Sequence, residues 1–362
     1  MVTAHTTLTR GSSPNSGQPT HAERAAAPDL LRMIWGIHIS RCVYAVAELG
    51  IADLLADRPM SSAELATATD THEPSLYRVL RALAALGVFD EHDDRHFTLT
   101  VVGERLRTGA PAGMRSWAVF LEALGGVRPF GHILETIKTG RSGREIEFGI
   151  DVFGFIAQNP DAAAIFDAAM SERTAAYAPS VADAYDFSDI RTVVDIGGGK
   201  GTLLVEILRR HAHLSGLLFE IPTVAARADA VLDATDIADR CGVLAGDFFD
   251  RVPENADCYV LANVIHDWSD ARAIEILRNC RHAMSKAGRV LIVERLIPEN
   301  STDPVPTLLS DINMLVLTGG QERTNPEYAQ LLNAADLTLG NVQPVAFPYG
   351  VIEGLTRSRD SS

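Results

Sequence analysis

Basic residues are scarce in this 362-residue chain: 32 lysines and arginines face 47 aspartates and glutamates, for a formal net charge of −15. That balance argues against nucleic acid as a partner, because phosphate binding needs a basic surface. Long apolar runs are missing too. No stretch approaches the ~18 residues of a membrane-spanning helix, and no charged-then-apolar leader is evident. A cytoplasmic protein with no membrane partner is therefore expected. The four cysteines (Cys42, Cys241, Cys258 and Cys280) are scattered, with no CxxC pair. Their spacing speaks against a disulfide framework and for reduced thiols. No closely spaced His/Asp set makes a convincing ligand group, so no metal is expected.

What is present divides the chain. Residues 1–27 are small and polar without hydrophobic period and read as a disordered tail. Residues 28–110 read as mostly helical, ending in helix, turn, helix and hairpin, the winged-helix arrangement. Ser61 or Ser62 can cap the first of those helices, Glu73-Pro74 opens the second, and Gly87 ends it. Residues 111–185 continue as helices that bridge to the second half. From 186 to 362, strands alternate with helices as in a doubly wound, Rossmann-like α/β domain. Candidate strands are 192–196, 216–220, 241–245, 257–262 and 289–295, closed by an antiparallel pair near 337–347 and 350–356. Candidate helices lie at 201–212, 223–235 and 269–286.

The first strand runs into "VVDIGGGKG", where Gly197, Gly199 and Gly201 form a GxGxG turn. Such glycines permit positive φ and let a ligand lie against the main chain. The third glycine of the dinucleotide fingerprint is replaced by Thr202, which suits a cofactor without phosphate, such as S-adenosylmethionine. A purely structural tight turn is the alternative. Glu220 ends the second strand, where a carboxylate can accept ribose hydroxyls, or can simply be exposed. Asp247 and Phe248 follow the third strand; an acid and an aromatic there suit an adenine ring, and a core phenylalanine suits the pattern as well.

The fourth strand delivers His266 in "VIHDWSD", just past the edge where open α/β sheets bind ligands. Ser269 or Asp270 can cap the next helix. Glu294 ends the fifth strand, and Glu322 lies on a later loop. Two carboxylates at one strand edge can fix the tautomer of an imidazole and stabilise its cation, which points to His266 as a base.

"VVDIGGGKG", "FEIP", "GDFF", "VIHDWSD", "LIVERLIPE" and "DINMLVLTGGQERT" stand in the order found in S-adenosylmethionine-dependent O-methyltransferases of the plant caffeate/flavonoid type. The chain resembles these, and the actinobacterial members that tailor anthracyclines and other aromatic natural products, over almost all of its length after residue 28. The resemblance implies a class I methyltransferase domain and a winged-helix-like dimerisation domain, hence a homodimer. It implies that Gly197, Gly199, Glu220, Asp247, Phe248, Met170 and Thr174 hold S-adenosylmethionine. It makes His266 the general base, supported by Glu294 and Glu322, and gives Asp267 a part in ordering the site. Asp311 and Met314 would fall in the acceptor-pocket wall. By their pattern, Trp117, Phe120, Phe153 and Phe166 are further lining candidates or simply helix core. The acceptor would be a phenolic hydroxyl of a small aromatic or polyketide-like compound. One departure is Ala262, where many plant members carry a lysine near the cofactor.

Two other readings compete. Some relatives bind the same cofactor yet catalyse decarboxylation, hydroxylation or pericyclic steps, for which Arg295 and His132 are candidate acceptor-side groups. A winged-helix regulator would use Arg78 and Arg81 on DNA; the acidic "DEHDD" turn and the net charge oppose it.

Overall fold

The computed structural model describes residues 29–297 and 304–357, so the expected amino-terminal tail lies outside the described residues. The first part is helical. Helix Ser62–Ala68 starts at Ser61, whose hydroxyl and Glu64 form a reciprocal capping box. Helix Glu73–Ala85 follows, with a proline in its first turn, and Gly87 ends it in a left-handed conformation (φ 81). Strands β1 (Met60–Ser61), β2 (Phe89–Glu91) and β3 (His96–Leu99) make a small antiparallel sheet in the order β1-β3-β2. Leu65, Leu80, Leu83, Phe89 and Phe97 close a core beneath it. This is the winged-helix arrangement expected from the pattern.

The second part is built on seven strands: β4 (Thr192–Ile196), β5 (Ser215–Glu220), β6 (Cys241–Ala245), β7 (Cys258–Ala262), β8 (Arg289–Arg295), β9 (Leu337–Pro344) and β10 (Tyr349–Thr356). Their order is β6-β5-β4-β7-β8-β10-β9, with β4 to β8 parallel and the last two antiparallel. The central strands β4, β7 and β8 are buried almost throughout, as parallel strands covered on both faces must be. The chain winds outward from β4 to β6, then returns to place β7 on the other side of β4. That reversal opens a crevice beyond the carboxyl ends of β4 and β7.

The helix Pro160–Ala184 joins the two parts. Its carboxyl-terminal half buries Tyr177, Ala178 and Val181 in the core beside the sheet, while Met170 packs on the aromatic cluster around Phe120. Helix Asp270–Ala283 is shorter than the expected 269–286, because Met284 leaves the helix in an extended conformation (ψ 145).

Candidate active site

Two turns meet in the crevice. After β4, Gly197, Gly199 and Gly201 all take left-handed conformations, and helix Thr202–Arg210 begins at once. At Gly199 (φ +62) no atom lies within 4 Å of where a side chain would project, so its backbone faces open space. Its N–H donates to Oε1 of Glu220 at 2.8 Å, and the Ile221 N–H donates to Oε2 at 3.0 Å. The strand-end acid thus holds the glycine turn directly. Burial raises Glu220 to about 7, and also Asp195, at the end of β4, whose carboxylate oxygens have no partner. Asp247 and Phe248 follow β6. Asp247 is exposed, with Oδ1 accepting from the Phe249 N–H at 2.8 Å. Phe248 packs edge-on against Phe249 and Trp268. An open backbone, an adjacent carboxylate and an aromatic at the next strand end suit a nucleoside without phosphate.

The second turn follows β7. Asn263 is left-handed (φ 53), and the chain enters a single 3-10 turn, Ile265–Asp267, that buries His266 to 2% exposure. Glu294 at the end of β8 accepts the backbone N–H groups of Val264 (3.1 Å) and His266 (3.2 Å) through Oε1. Its Oε2 faces His266 Nδ1 at 3.3 Å and has no hydrogen bond of its own. Nδ1 is also hydrogen-bonded to Glu322 Oε1 at 3.3 Å. Glu322 is held in turn by the Ser310 hydroxyl (2.7 Å), itself bonded by Arg295 Nη1 (2.9 Å), while the Glu322 N–H donates to Asp311 Oδ1 at 2.9 Å. Gly320 lets this loop close on the His266 turn: a side chain there would collide with the His266 carbonyl, which accepts the Gln321 N–H at 2.9 Å.

The electrostatics follow from burial. Burial alone would depress the imidazole, but Glu294, Asp267 and Glu322 outweigh it and raise His266 to about 9. Burial raises Glu294 against the pull of His266. Glu322 is held below its usual value, because His266 and Ser310 overcome its burial. Asp267, 3.8 Å from Nε2, is lifted by burial to about 6. The cluster therefore favours an imidazolium and gives its neutral form unusual basicity.

The pattern misses three features. Arg323 is wholly buried, donating to the carbonyls of Ile265, Trp268 and Gln321 and to Asp270. It clamps the residues flanking His266. The expected side-chain cap on the next helix does not form: Ser269 makes no cap hydrogen bond, and Asp270 serves Arg323 instead. Finally, His266, Glu294 and Glu322, which the pattern joins as a base and its supports, also bring ligand-type atoms within 4.8 Å of one another, a possible metal-ligand set that the pattern did not suggest.

The remaining candidates are more widely placed. Thr174 Oγ is 3.4 Å from the Tyr177 hydroxyl, which accepts from Asn263 Nδ2 at 2.6 Å. Trp117 stacks on Phe120 (5.0 Å), Phe120 meets Phe166 (5.7 Å) and Phe153 stacks on Trp268 (5.6 Å). Phe120 is 4% exposed and sits in the helical core, whereas Trp117, Phe153 and Phe166 are half-buried. Met314 is buried on helix Val305–Leu317, which also carries Asp311. Arg295 joins the Glu322 network; His132 instead pairs with Glu147.

Comparison with known proteins gives the family of the chain. Residues 130–337 match the model of an O-methyltransferase domain and residues 31–109 that of an O-methyltransferase dimerisation domain. The phenazine O-methyltransferase PhzM of Lysobacter antibioticus is 43% identical over 90% of this chain and 94% of its own. The aclacinomycin 10-hydroxylase RdmB of Streptomyces purpurascens is 33% identical over 97% of this chain and 96% of its own. Among solved structures, the O-methyltransferase NcsB1 from neocarzinostatin biosynthesis, in complex with S-adenosylmethionine and 2-hydroxy-5-methyl naphthoic acid, superposes with a TM-score of 0.78. It is 32% identical, with 88% of this chain and 96% of that one covered. The chain belongs to the O-methyltransferase family.

Proposed function

We propose that this enzyme transfers a methyl group from S-adenosylmethionine to a phenolic hydroxyl of a small aromatic or polyketide-like compound, with His266 as general base. The observation that carries this is the buried His266, bonded to Glu322 and faced by Glu294, at the same sheet edge as the open glycine turn. Gly197, Gly199, Glu220, Asp247, Phe248, Met170 and Thr174 would hold the cofactor, whose sulfonium supplies an electrophilic methyl group. A free phenol ionises near ~10, so little phenolate exists at neutral pH. An imidazole raised to about 9 is mostly cationic at neutral pH, but its neutral fraction matches a phenol closely in basicity and accepts the proton with little uphill cost. Glu322 and Glu294 then stabilise the cation that forms. Asp267 helps order the turn, and Asp311 and Met314 help form the acceptor wall with Trp117, Phe153 and Phe166.

The naphthoic acid complex of NcsB1 and the phenazine activity of PhzM support a flat aromatic acceptor. The RdmB hydroxylase shows that one relative has another chemistry, so the test must read the product. Candidate phenols are incubated with enzyme and cofactor and followed by mass spectrometry. Gain of one methyl is expected; gain of one oxygen instead would overturn the reading. His266→Ala is expected to lower turnover ~10²- to 10⁴-fold.

A homodimer through the amino-terminal part is proposed on the exposure of Leu31, Met33, Ile34, Trp35 and Ile37, an apolar strip that a monomer would leave in water. Light scattering during gel filtration tests it; a monomer at micromolar concentration would refute it.

A further inference from the structure

Arg173 lies on the helix Pro160–Ala184, one turn beyond Met170 and one turn before Tyr177. Its Nε is shut off from solvent and has no hydrogen-bond partner, and its guanidinium sits 5.4 Å from the Trp117 ring centre. Other interior arginines also keep single nitrogens without partners, among them Nε and Nη2 of Arg144 and Nε of Arg289, but each has a main contact within the protein. Arg227 pairs with Asp167, Arg289 with Asp189 and Arg323 with Asp270. Arg144 donates to the Leu124 carbonyl and lies over Phe148 and Phe155. Among the described residues, Arg173 has no such ion pair. On the helix it stands between Met170, which packs on the aromatic cluster, and Tyr177, whose hydroxyl is bonded by Asn263 ahead of the His266 turn. Burial works against its charge, but Tyr349, Tyr177, Asp267 and Glu322 outweigh it and raise its pKa.

A guanidinium cannot shed its charge, and Arg173, half-buried and without an ion pair of its own, has donors to offer an anion that a ligand brings. Its planar donors match a carboxylate, and the Trp117 ring beside it offers a flat apolar wall. We infer that Arg173 is a carboxylate anchor in the acceptor pocket and that the acceptor is an aromatic hydroxy acid, with the ring on the Trp117 side and the hydroxyl toward His266. This rests on the reading of the pocket as the methyl-acceptor site. The rival role is a distant counter-charge for Asp267 and Glu322, which would make Arg173 matter equally for every acceptor.

The test is calorimetric binding of 1-hydroxy-2-naphthoate and its methyl ester to the wild-type protein, Arg173→Met and Arg173→Lys. A charge-assisted hydrogen bond contributes enough for the acid to bind about 10- to 100-fold more tightly than the ester. Arg173→Met is expected to remove that preference while leaving ester binding unchanged, and Arg173→Lys to keep part of it. Equal binding of acid and ester to the wild type, no binding of the acid, or a preference that survives in Arg173→Met would each overturn the anchor. Should Arg173→Met fail to fold by circular dichroism, the acid-to-ester ratio of Arg173→Lys decides in the same way. Methyl transfer is scored separately. An acid bound through Arg173 but returned unmethylated would refute the proposed reaction and leave the anchor standing.

Discussion

Glu294 holds His266 twice: one oxygen accepts the residue's backbone N–H at 3.2 Å, and the other faces Nδ1 of its imidazole at 3.3 Å. Backbone and ring are thereby fixed by a single side chain at the end of β8. The free lone pairs of Oε2, the burial of the carboxylates and a second carboxylate at the same Nδ1 all favour a proton on this cluster.

The first prediction concerns pH. His266 is raised above its ordinary 6.5 to about 9, so the neutral base becomes abundant only as pH rises through that value. The kcat/KM profile should therefore climb with pH on a limb governed by an apparent pKa well above 6.5. Glu322→Gln removes a negative charge bonded to Nδ1, so the limb should move to lower pH while the plateau falls. A limb that stays in place would show that Glu322 does not tune the base.

Arg323 supplies the second. Its three carbonyl acceptors include those of Ile265 and Trp268, on either side of His266 and Asp267. Arg323→Met leaves the Trp268 and Gln321 carbonyls without this donor and Ile265 with the Trp268 N–H alone, at a cost of about 1–3 kcal/mol, with Asp270 adding little because its side chain is 62% exposed. Arg323→Lys should recover only part, since an ammonium cannot reproduce the fork. Urea unfolding measures the loss, and turnover should fall with it because the His266 turn is released. Wild-type stability in Arg323→Met would remove the clamp from the account.

The sheet was legible because each element carries its own signal. The buried runs of β4, β7 and β8 read as apolar strands, and the glycines after β4 and the histidine after β7 fall at ends that topology alone makes into a crevice. Glu294 and Glu322 were legible as strand-end and loop carboxylates near one edge. Arg323 was not, although it follows Glu322 directly. Its role depends on carbonyls of Ile265 and Trp268, and main-chain acceptors leave no trace in side-chain pattern. The helix cap went astray for the same reason: Asp270 suits a cap locally, but a buried guanidinium distant in sequence claims it. Phe120 suits pocket lining or helix core by pattern, and it is core, buried in one cluster with Leu124, Val152, Ile156, Ala163 and Ala169.

A third prediction tests the glycine turn. Gly199 is left-handed, and the space beside its backbone is empty of protein atoms. Gly199→Ala adds about 1–2 kcal/mol of backbone strain and places a methyl group where the proposed cofactor would lie. Affinity for S-adenosylhomocysteine, measured calorimetrically, should fall at least about tenfold. The melting temperature should drop only slightly. Unchanged affinity would move the cofactor away from this turn.

The last prediction concerns metal. His266, Glu294 and Glu322 place ligand-type atoms within 4.8 Å of one another, which is compatible with a divalent ion. The same atoms have other uses here. Glu322 Oε1 accepts from Ser310 and bonds Nδ1, and Glu294 Oε1 accepts two backbone N–H groups. A cation bound there would also lower the basicity of the imidazole, working against the proton transfer assigned to it. Prolonged chelation followed by gel filtration should therefore leave turnover unchanged, and added zinc should inhibit by occupying the base. Loss of activity on chelation, restored by a divalent ion, would make the trio a metal site and remove His266 as the general base.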